Sequence, residues 1–158
     1  MVEAMDTIRF RPAGADDLPH IVALLADDVL GQGREDASLP LDRAYVDGFD
    51  AINRDPNQLL VVAERAGAVV GCLQLSFIPG LSHRGAWRGQ IESVRIAAAL
   101  RGSGLGHRMF DWAIAECRRR GCRLVQLTTD KTRPDARRFY EQLGFTASHD
   151  GMKLVLET

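Results

Sequence analysis

The chain has 158 residues, a length that corresponds to one compact domain and leaves no room for a second catalytic module. Hydrophobic residues make up 46% and charged residues 26%, as in an ordinary globular protein, which excludes disordered and fibrous classes. The formal charge of -1 provides no global basic field for a nucleic-acid or membrane partner.

Targeting signals and cysteine spacing add further exclusions. No apolar run approaches the roughly 20 residues that cross a bilayer, and the acidic stretch 1–6 lacks the layout of a secretion signal. The three cysteines show no two-residue spacing, which argues against a disulfide framework or a zinc site. We therefore expect one cytoplasmic domain, residues 1–158, without a metal.

The first half of the chain alternates between strand and helix patterns. The predicted elements are a strand at 7–11, a helix from Ala15, a loop at 31–40, a helix at 41–52 and a hairpin of strands 59–64 and 68–77. Four acids accompany the loop: Asp27, Asp28, Glu35 and Asp36. They could attract a cationic amine or simply be solvated.

The second half ends in two helices and several strands. The predicted elements are a strand at 90–96, a long helix from Leu105, a strand at 124–128, a helix at 134–143 and a final strand pair that begins at Phe145 and ends with 152–156. This order predicts an α/β (α+β) fold with a mixed, mostly antiparallel sheet of about seven strands and helices on both faces.

A glycine-rich turn between a strand and the long helix is the most informative segment. It reads Arg101-Gly102-Ser103-Gly104-Leu105-Gly106, and the first amides of the helix lack internal acceptors, which favours a phosphate or pyrophosphate. A tight turn that binds nothing would use the same glycines. A dinucleotide fingerprint would need a glycine where His107 stands, and a P-loop would need Lys followed by Ser or Thr there.

A second motif follows about thirty residues later, and the two motifs together are more specific evidence than either motif alone. It reads Asp135-Ala136-Arg137-Arg138-Phe139-Tyr140-Glu141-x-x-Gly144-Phe145. Together the two motifs resemble those of the GCN5-related N-acetyltransferase (GNAT) family, and the order of elements resembles that family over nearly the whole chain. A faint likeness to aminoalkylphosphonate acetyltransferases, in 89–92 and 135–140, is too thin to choose a substrate.

The resemblance implies acetyl-CoA as the donor, with its pyrophosphate on the amides of 101–106 and its pantetheine arm paired along the strand at 94–96. The implied cofactor-binding residues are Val94, Arg95, Ile96, Arg101, Gly102, Ser103, Gly104, Leu105, Gly106, His107, Arg133 and Phe139. The thioester would lie where the strands at 91–96 and 124–128 separate. Ala98 and Arg133 stand where the family often has Pro and Asn, which puts one side-chain contact to the pantetheine or thiol in doubt.

Two residues are candidates for the catalytic chemistry. The resemblance places Tyr140 beside the departing CoA sulfur and Glu92 where a base draws the proton from the amine through water. Either could instead be structural, Tyr140 as a core aromatic and Glu92 as a strand residue. Strict alternation would place Glu92, Val94 and Ile96 on one face of the strand.

The predicted function is an acetyl-CoA-dependent N-acetyltransferase that acts on a primary amine of a small molecule by direct attack in a ternary complex. The alternatives are a protein or peptide N-terminal acetyltransferase and a non-catalytic sensor that binds acyl-CoA. No cysteine occupies a motif position, so a covalent acetyl-enzyme is not favoured. Many members of the family form dimers, and we expect a homodimer.

Overall fold

The computed structural model describes residues 7–157, and the acidic stretch 1–6 lies outside the described residues. In chain order the elements are β1 (Ile8–Pro12), α1 (Leu18–Ala26), α2 (Arg43–Arg54), β2 (Gln58–Arg65), β3 (Ala68–Ile78), the single turn α3 (Ser82–Gly85), β4 (Trp87–Ile96), α4 (Leu105–Arg119), β5 (Cys122–Gln126) and α5 (Pro134–Gln142). The predicted positions of these strands and long helices are therefore confirmed within a few residues.

The strands form one mixed sheet in the order β1-β2-β3-β4-β5. The first four strands are antiparallel neighbours, and β5 runs parallel to β4 because α4 connects the two. The hairpin of β2 and β3 turns at Ala66 and Gly67, which both have positive φ, as a tight two-residue turn requires. The mixed, mostly antiparallel sheet that the sequence predicts is confirmed.

Helices cover both faces of the sheet, as predicted. On one face α4 buries Met109, Phe110 and Ala113 against inward-facing strand residues that include Leu73 and Leu75. On the other face α1 and α2 pack in two smaller clusters. The sheet is thus the middle layer between two helical layers.

The predicted final strand pair is wrong. Residues 146–157 form no strand, so the sheet of the described residues has five strands rather than about seven. The alternation of apolar side chains in 152–156 is typical of a strand, but a strand is stable only when its backbone pairs with a neighbour. Among residues 7–157 no strand pairs with this segment, and residues 146–157 are all exposed.

Arg11 ties β1 to the start of α1 and to β2. Its guanidinium donates hydrogen bonds to both carboxylate oxygens of Asp17, at 2.7 and 2.9 Å, and to Glu64 at 2.6 Å. The bonds from Arg11 to Asp17 lower the pKa of Asp17 from its ordinary value of 3.8, against the opposing effect of burial. The ion pairs therefore contribute stability that depends on pH.

Replacing Arg11 by Met is expected to lower the free energy of unfolding by about 2 kcal/mol at pH 7, because the largely buried Asp17 carboxylate loses its partner. Since the folded-state pKa of Asp17 is lowered, this stability is present above the ordinary value of 3.8 and is lost as pH falls through the folded value. Urea unfolding at pH 7 and pH 3 measures the effect, and an equal loss at both pH values would contradict it. Arg43→Met, which removes an exposed pair with Asp47, is the control and should change stability little.

Candidate active site

The site begins where β4 and β5 separate. The two strands pair from Trp87 opposite Cys122 to Gln90 opposite Gln126, and the Gln126 side-chain amide donates to Gln90 at 2.9 Å across the last pair. The pairing ends there, so the strands separate in the segment where the sequence predicts it. The opening exposes backbone groups of β4 that a ligand could pair with.

A β-bulge at Ser93 lies inside this opening and corrects the predicted strand faces. Ser93 has a φ of 55°, and the register passes from Gln74 opposite Glu92 to Cys72 opposite Arg95, which leaves one extra residue in β4. The extra residue reverses the alternation. Val94 and Ile96 pack towards the core under α4, whereas Glu92 contacts Ser76 of β3, so the prediction that all three share one face is wrong.

The glycine-rich turn forms an open cradle before α4. Gly102 and Gly104 have φ of 79° and 88°, and a Cβ built on either would meet no other atom within 4 Å. Glycine is needed there for the left-handed backbone rather than to avoid crowding. The Ser103 hydroxyl donates to the Leu100 carbonyl at 2.5 Å and steadies the turn. The space beside the free N-terminal amides of α4 fits an anion.

Gly106 has a different part in the same segment. A Cβ on Gly106 would lie 3.3 Å from Ile96 and 3.5 Å from the Phe139 ring, so its absence lets α4 approach both β4 and α5. The Phe139 ring also makes edge contacts with His107 and Phe110, at centroid distances of 5.3 and 5.6 Å. Phe139 therefore helps to hold the cradle against α5.

Two arginines near the cradle are paired with acids that follow α1. Arg95 Nε lies 2.8 Å from Asp28 Oδ2, and both side chains are more than four-fifths buried. Arg101 donates to the Asp27 carbonyl at 3.0 Å and lies 3.5 Å from the Asp27 carboxylate. Asp27 and Asp28 are thus each paired with an arginine, an arrangement that no spacing in the sequence predicts.

Tyr140 lies on α5 among aromatic rings and faces positive charge. Its ring contacts Phe110, Phe139 and Phe145 at centroid distances of 5.5 to 6.2 Å. Burial raises the pKa of Tyr140 above its ordinary value, and the charges of Arg133 and Arg95 oppose that rise. The phenol is therefore protonated at neutral pH and can donate a hydrogen bond to a group that gains negative charge.

Glu92 belongs to a row of polar side chains on the face that α1 and α2 cover in part. Its carboxylate accepts long hydrogen bonds of 3.4 Å from Ser76 and from Gln90. The row continues through Gln58, which accepts from Gln74 at 2.9 Å and lies 3.1 Å from the Ser76 hydroxyl, so that the single hydrogen of Ser76 has Glu92 and Gln58 as alternative acceptors. The hydrogen bonds position the Glu92 carboxylate. Because Glu92 is exposed, the carboxylate remains open to water.

A cavity of about 170 Å³ adjoins this polar row, between the sheet and the helices α1 and α2. Most of its lining is apolar, with Ile21, Phe49 and Leu60 among the contributors. Gln74 and Ser93 bring polar groups to it, and Ser93 follows Glu92 directly in the chain. Among the described residues that line the cavity, none is basic.

The cysteines show no sign of nucleophilic activation. Burial raises the pKa of Cys72 to about 12 and that of Cys117 to about 11, and it also raises the pKa of Cys122. Thiols with raised pKa values are poor nucleophiles at neutral pH. Within residues 7–157, no group of three or more His, Cys, Asp or Glu side chains could hold a metal, and no helix is long and apolar enough to span a membrane.

Comparison with known proteins agrees with this geometry. The Acetyltransferase (GNAT) family model matches residues 20–145. The chain is 32% identical over 148 residues to an aminoalkylphosphonate N-acetyltransferase of Salmonella typhimurium, which covers 93% of this chain and 90% of that protein.

Two solved structures extend the comparison. A Bacillus halodurans protein named as a transcriptional regulator is 49% identical, with a TM-score of 0.92 over 95% of this chain and all of that one. A protein of Clostridium acetobutylicum described as a predicted acetyltransferase and solved with acetyl-CoA is 19% identical and shares the fold with a TM-score of 0.74, and the match covers 94% of this chain and 96% of that one. The chain therefore belongs to the GNAT acetyltransferase family and is an N-acetyltransferase.

Proposed function

We propose that the protein transfers the acetyl group of acetyl-CoA to a primary amine of a small molecule by direct attack in a ternary complex. The observation that carries the proposal is the separation of β4 from β5 after Gln90, because it opens the sheet between the glycine cradle and Glu92. A single domain, residues 1–158, would hold both substrates.

The donor would bind along the cradle and β4. The N-terminal amides of α4 and the guanidinium of Arg101 would hold the pyrophosphate, and the open space beside Gly102 and Gly104 supports that fit. The pantetheine arm would pair with the backbone of 94–96 as an added strand, because β5 pairs with β4 only as far as Gln90. His107 and Arg133 would line the approach.

Tyr140 would assist departure of the CoA sulfur. A thiol has a pKa near 8.5 and a tyrosine near 10, so the phenol is the weaker acid. Its part is then to donate a hydrogen bond that stabilises negative charge on sulfur, rather than to give up its proton early. The positive charges of Arg95 and Arg133 favour the same charge distribution.

Glu92 would act as the general base for the attacking amine. An alkylammonium with a pKa near 10.4 must lose a proton at a cost of about 4–5 kcal/mol at pH 7 before it can attack. The exposed carboxylate of Glu92 can accept that proton through a water molecule. The amine nitrogen then bonds to the acetyl carbon and the carbon–sulfur bond breaks. The nitrogen gives up a further proton as the amide forms, and this proton balances the one that the departing CoA sulfur takes up to leave as a thiol.

The cavity beside Glu92 supports a small acceptor with an apolar body. Its volume of about 170 Å³ is below the range usual for drug-sized ligands, and its lining is mostly apolar. The Salmonella relative is named for aminoalkylphosphonates, which are also small amines. Because no basic side chain lines this cavity within residues 7–157, we propose that the body of the amine occupies it and that a phosphonate, if present, lies outside it.

A thermal shift assay with acetyl-CoA, followed by thiol detection with different acceptors, tests the proposal. The panel should contain short alkylamines, amino acids, aminophosphonates and a peptide with a free N-terminus. We expect stabilisation by acetyl-CoA, near 2.7 kcal/mol at 100 times its dissociation constant, and thiol release with small amines. Release only with the peptide would favour an N-terminal acetyltransferase. Stabilisation without release would indicate a non-catalytic sensor, and no stabilisation would contradict the donor site.

We propose that the enzyme works in the cytoplasm. The described cysteines are free thiols, which suits the reducing cytoplasm. The near-zero net charge supports a protein that works on small molecules without nucleic acid or membrane as a partner. A homodimer is the proposed assembly.

Replacing Gly104 by Ala tests the cradle. Gly104 has a φ of 88°, so an alanine is strained there and is expected to shift the turn and weaken acetyl-CoA binding about tenfold. Gly67→Ala is the matched control, since Gly67 has a φ of 79°, equally open surroundings and a place in the hairpin turn. Both variants should lose similar stability, and only Gly104→Ala should lose ligand affinity. Equal acetyl-CoA affinity in the two variants, measured by calorimetry, would contradict the cradle.

A further inference from the structure

Two of the three cysteines, Cys117 and Cys122, lie side by side where α4 ends and β5 begins. After α4 the chain turns back through Gly121, whose φ is 81°. The Gly121 amide donates to the Arg118 carbonyl at 3.0 Å, one of the two hydrogen bonds typical of a Schellman helix end. In such an end the residue after the glycine packs against the third residue from the end of the helix, and here these residues are Cys122 and Cys117.

Gly89 of β4 shows how close the two sulfur atoms come. A Cβ built on Gly89 would collide with Cys117 Sγ and would lie 3.9 Å from Cys122 Sγ. Both sulfurs therefore face the same point on β4, where a side chain is missing. The thiols also interact directly, with Cys117 donating a hydrogen bond to Cys122. The absent side chain of Gly89 thus leaves a space in which two sulfur atoms are neighbours.

The two thiols differ in their access to solvent. Cys117 is fully buried, whereas Cys122 is only half-buried at the start of β5. Burial raises the pKa of both thiols, but the hydrogen bond from Cys117 and the charge of Arg120 lower that of Cys122. A reagent in solution therefore reaches Cys122 first, and the group that it leaves there lies beside Cys117.

The third cysteine, Cys72, lies away from this pair. It packs with Ile21 and Val62 in a cluster on the face of the sheet that α1 covers. Cys117 belongs to the cluster under α4, on the opposite face. The sheet therefore separates Cys72 from the other two thiols, and in the folded chain only Cys117 and Cys122 can react with each other.

We propose that Cys117 and Cys122 are a modification site, a dithiol that a hydroperoxide converts to a disulfide within one chain. The Cys122 thiolate attacks the peroxide, the oxygen–oxygen bond breaks, and Cys122 becomes a sulfenic acid while an alcohol or water leaves. The Cys117 sulfur then attacks the Cys122 sulfur, the sulfur–oxygen bond breaks, and the oxygen leaves as water. The two thiols lose two electrons and two protons, and the hydroperoxide takes up both.

The disulfide would join the end of α4 to the start of β5, the strand that runs parallel to β4. A thiol reductant reverses it by exchange, so the modification is reversible in a reducing compartment. The inference goes beyond the proposed acetyl transfer and does not depend on it.

Oxidation of the folded full chain by hydrogen peroxide tests the proposal. The parent has three free thiols, and thiol counting after the oxidised protein is unfolded should find one. Proteolytic mapping by mass spectrometry should show a link between Cys117 and Cys122 in a monomer, and dithiothreitol should restore all three thiols. Survival of all three thiols, a link to Cys72, or a link between two chains would overturn the proposal.

Three single variants test the part of each thiol. In Cys122→Ala, Cys117 should stay reduced because it is buried. In Cys117→Ala, Cys122 should accumulate as a sulfenic acid that dimedone captures, because the second thiol is missing. Cys72→Ala is the matched control and should still form the disulfide. Equal oxidation of all three variants would overturn the proposal.

Circular dichroism shows whether each variant is folded. If a variant does not fold, mapping of the oxidised parent still decides the proposal, because the link between Cys117 and Cys122 is then either present or absent. None of these measurements involves acetyl transfer, so a failed acetylation assay leaves the outcome unchanged.

Discussion

Replacing Tyr140 by Phe is expected to lower turnover about a hundredfold while acetyl-CoA binding stays unchanged. The substitution keeps the ring, so the contacts with Phe110, Phe139 and Phe145 that hold α5 should persist. It removes only the hydroxyl, and losing one donor to a developing anion typically costs 10²- to 10³-fold in rate. Turnover at saturating amine, measured by thiol release, should fall accordingly, and the thermal shift with acetyl-CoA should match that of the parent.

A second measurement distinguishes a hydrogen bond to sulfur from a structural effect of the missing hydroxyl. The thiolate of a more acidic thiol needs less stabilisation as it departs. With an acetyl thioester of such a thiol, the difference in turnover between Tyr140→Phe and the parent enzyme should therefore be smaller. A structural defect would lower the turnover of the variant by the same factor with both thioesters. Unchanged turnover of the variant with acetyl-CoA would remove Tyr140 from the reaction.

The segment 101–106 shows why the cradle could be predicted from sequence. Glycines at alternate positions before a helix with a continuous apolar stripe encode local backbone geometry, and local geometry depends on few other residues. The positive φ of Gly102 and Gly104 agrees with that interpretation. The same applies to the hairpin at Ala66 and Gly67, where the turn residues lie next to each other in the chain.

The features that sequence reasoning missed depend on tertiary context. The bulge at Ser93 reflects a mismatch in register with β3, and nothing in residues 91–96 alone indicates that one residue is extra. The pairing of Arg95 with Asp28 joins residues 67 positions apart in the sequence, so no short motif contains both. The segment 152–156 carries a strand pattern, but a pattern alone cannot show whether its backbone finds a neighbouring strand to pair with.

Replacing Glu92 by Gln is expected to change the pH dependence of the reaction as well as its rate. Gln keeps a similar shape and can still bond Ser76, but it cannot accept the proton of the ammonium group. General-base catalysis typically contributes 10²- to 10⁴-fold, so kcat/KM at pH 7 should fall at least a hundredfold. The deficit should shrink as pH rises towards the pKa of the amine, near 10.4, because the acceptor is then deprotonated without help.

The pH dependence makes the role of Glu92 separable from that of a carboxylate that only supports the strand. A structural loss would lower kcat/KM by the same factor at every pH, and the curve would keep the shape of the parent's. Glu116→Gln is the matched control, since that carboxylate pairs with Arg119 and Arg120 in the last turns of α4. A parallel curve for Glu92→Gln would remove it as the base, because a group that takes the amine proton must matter less once that proton is already gone.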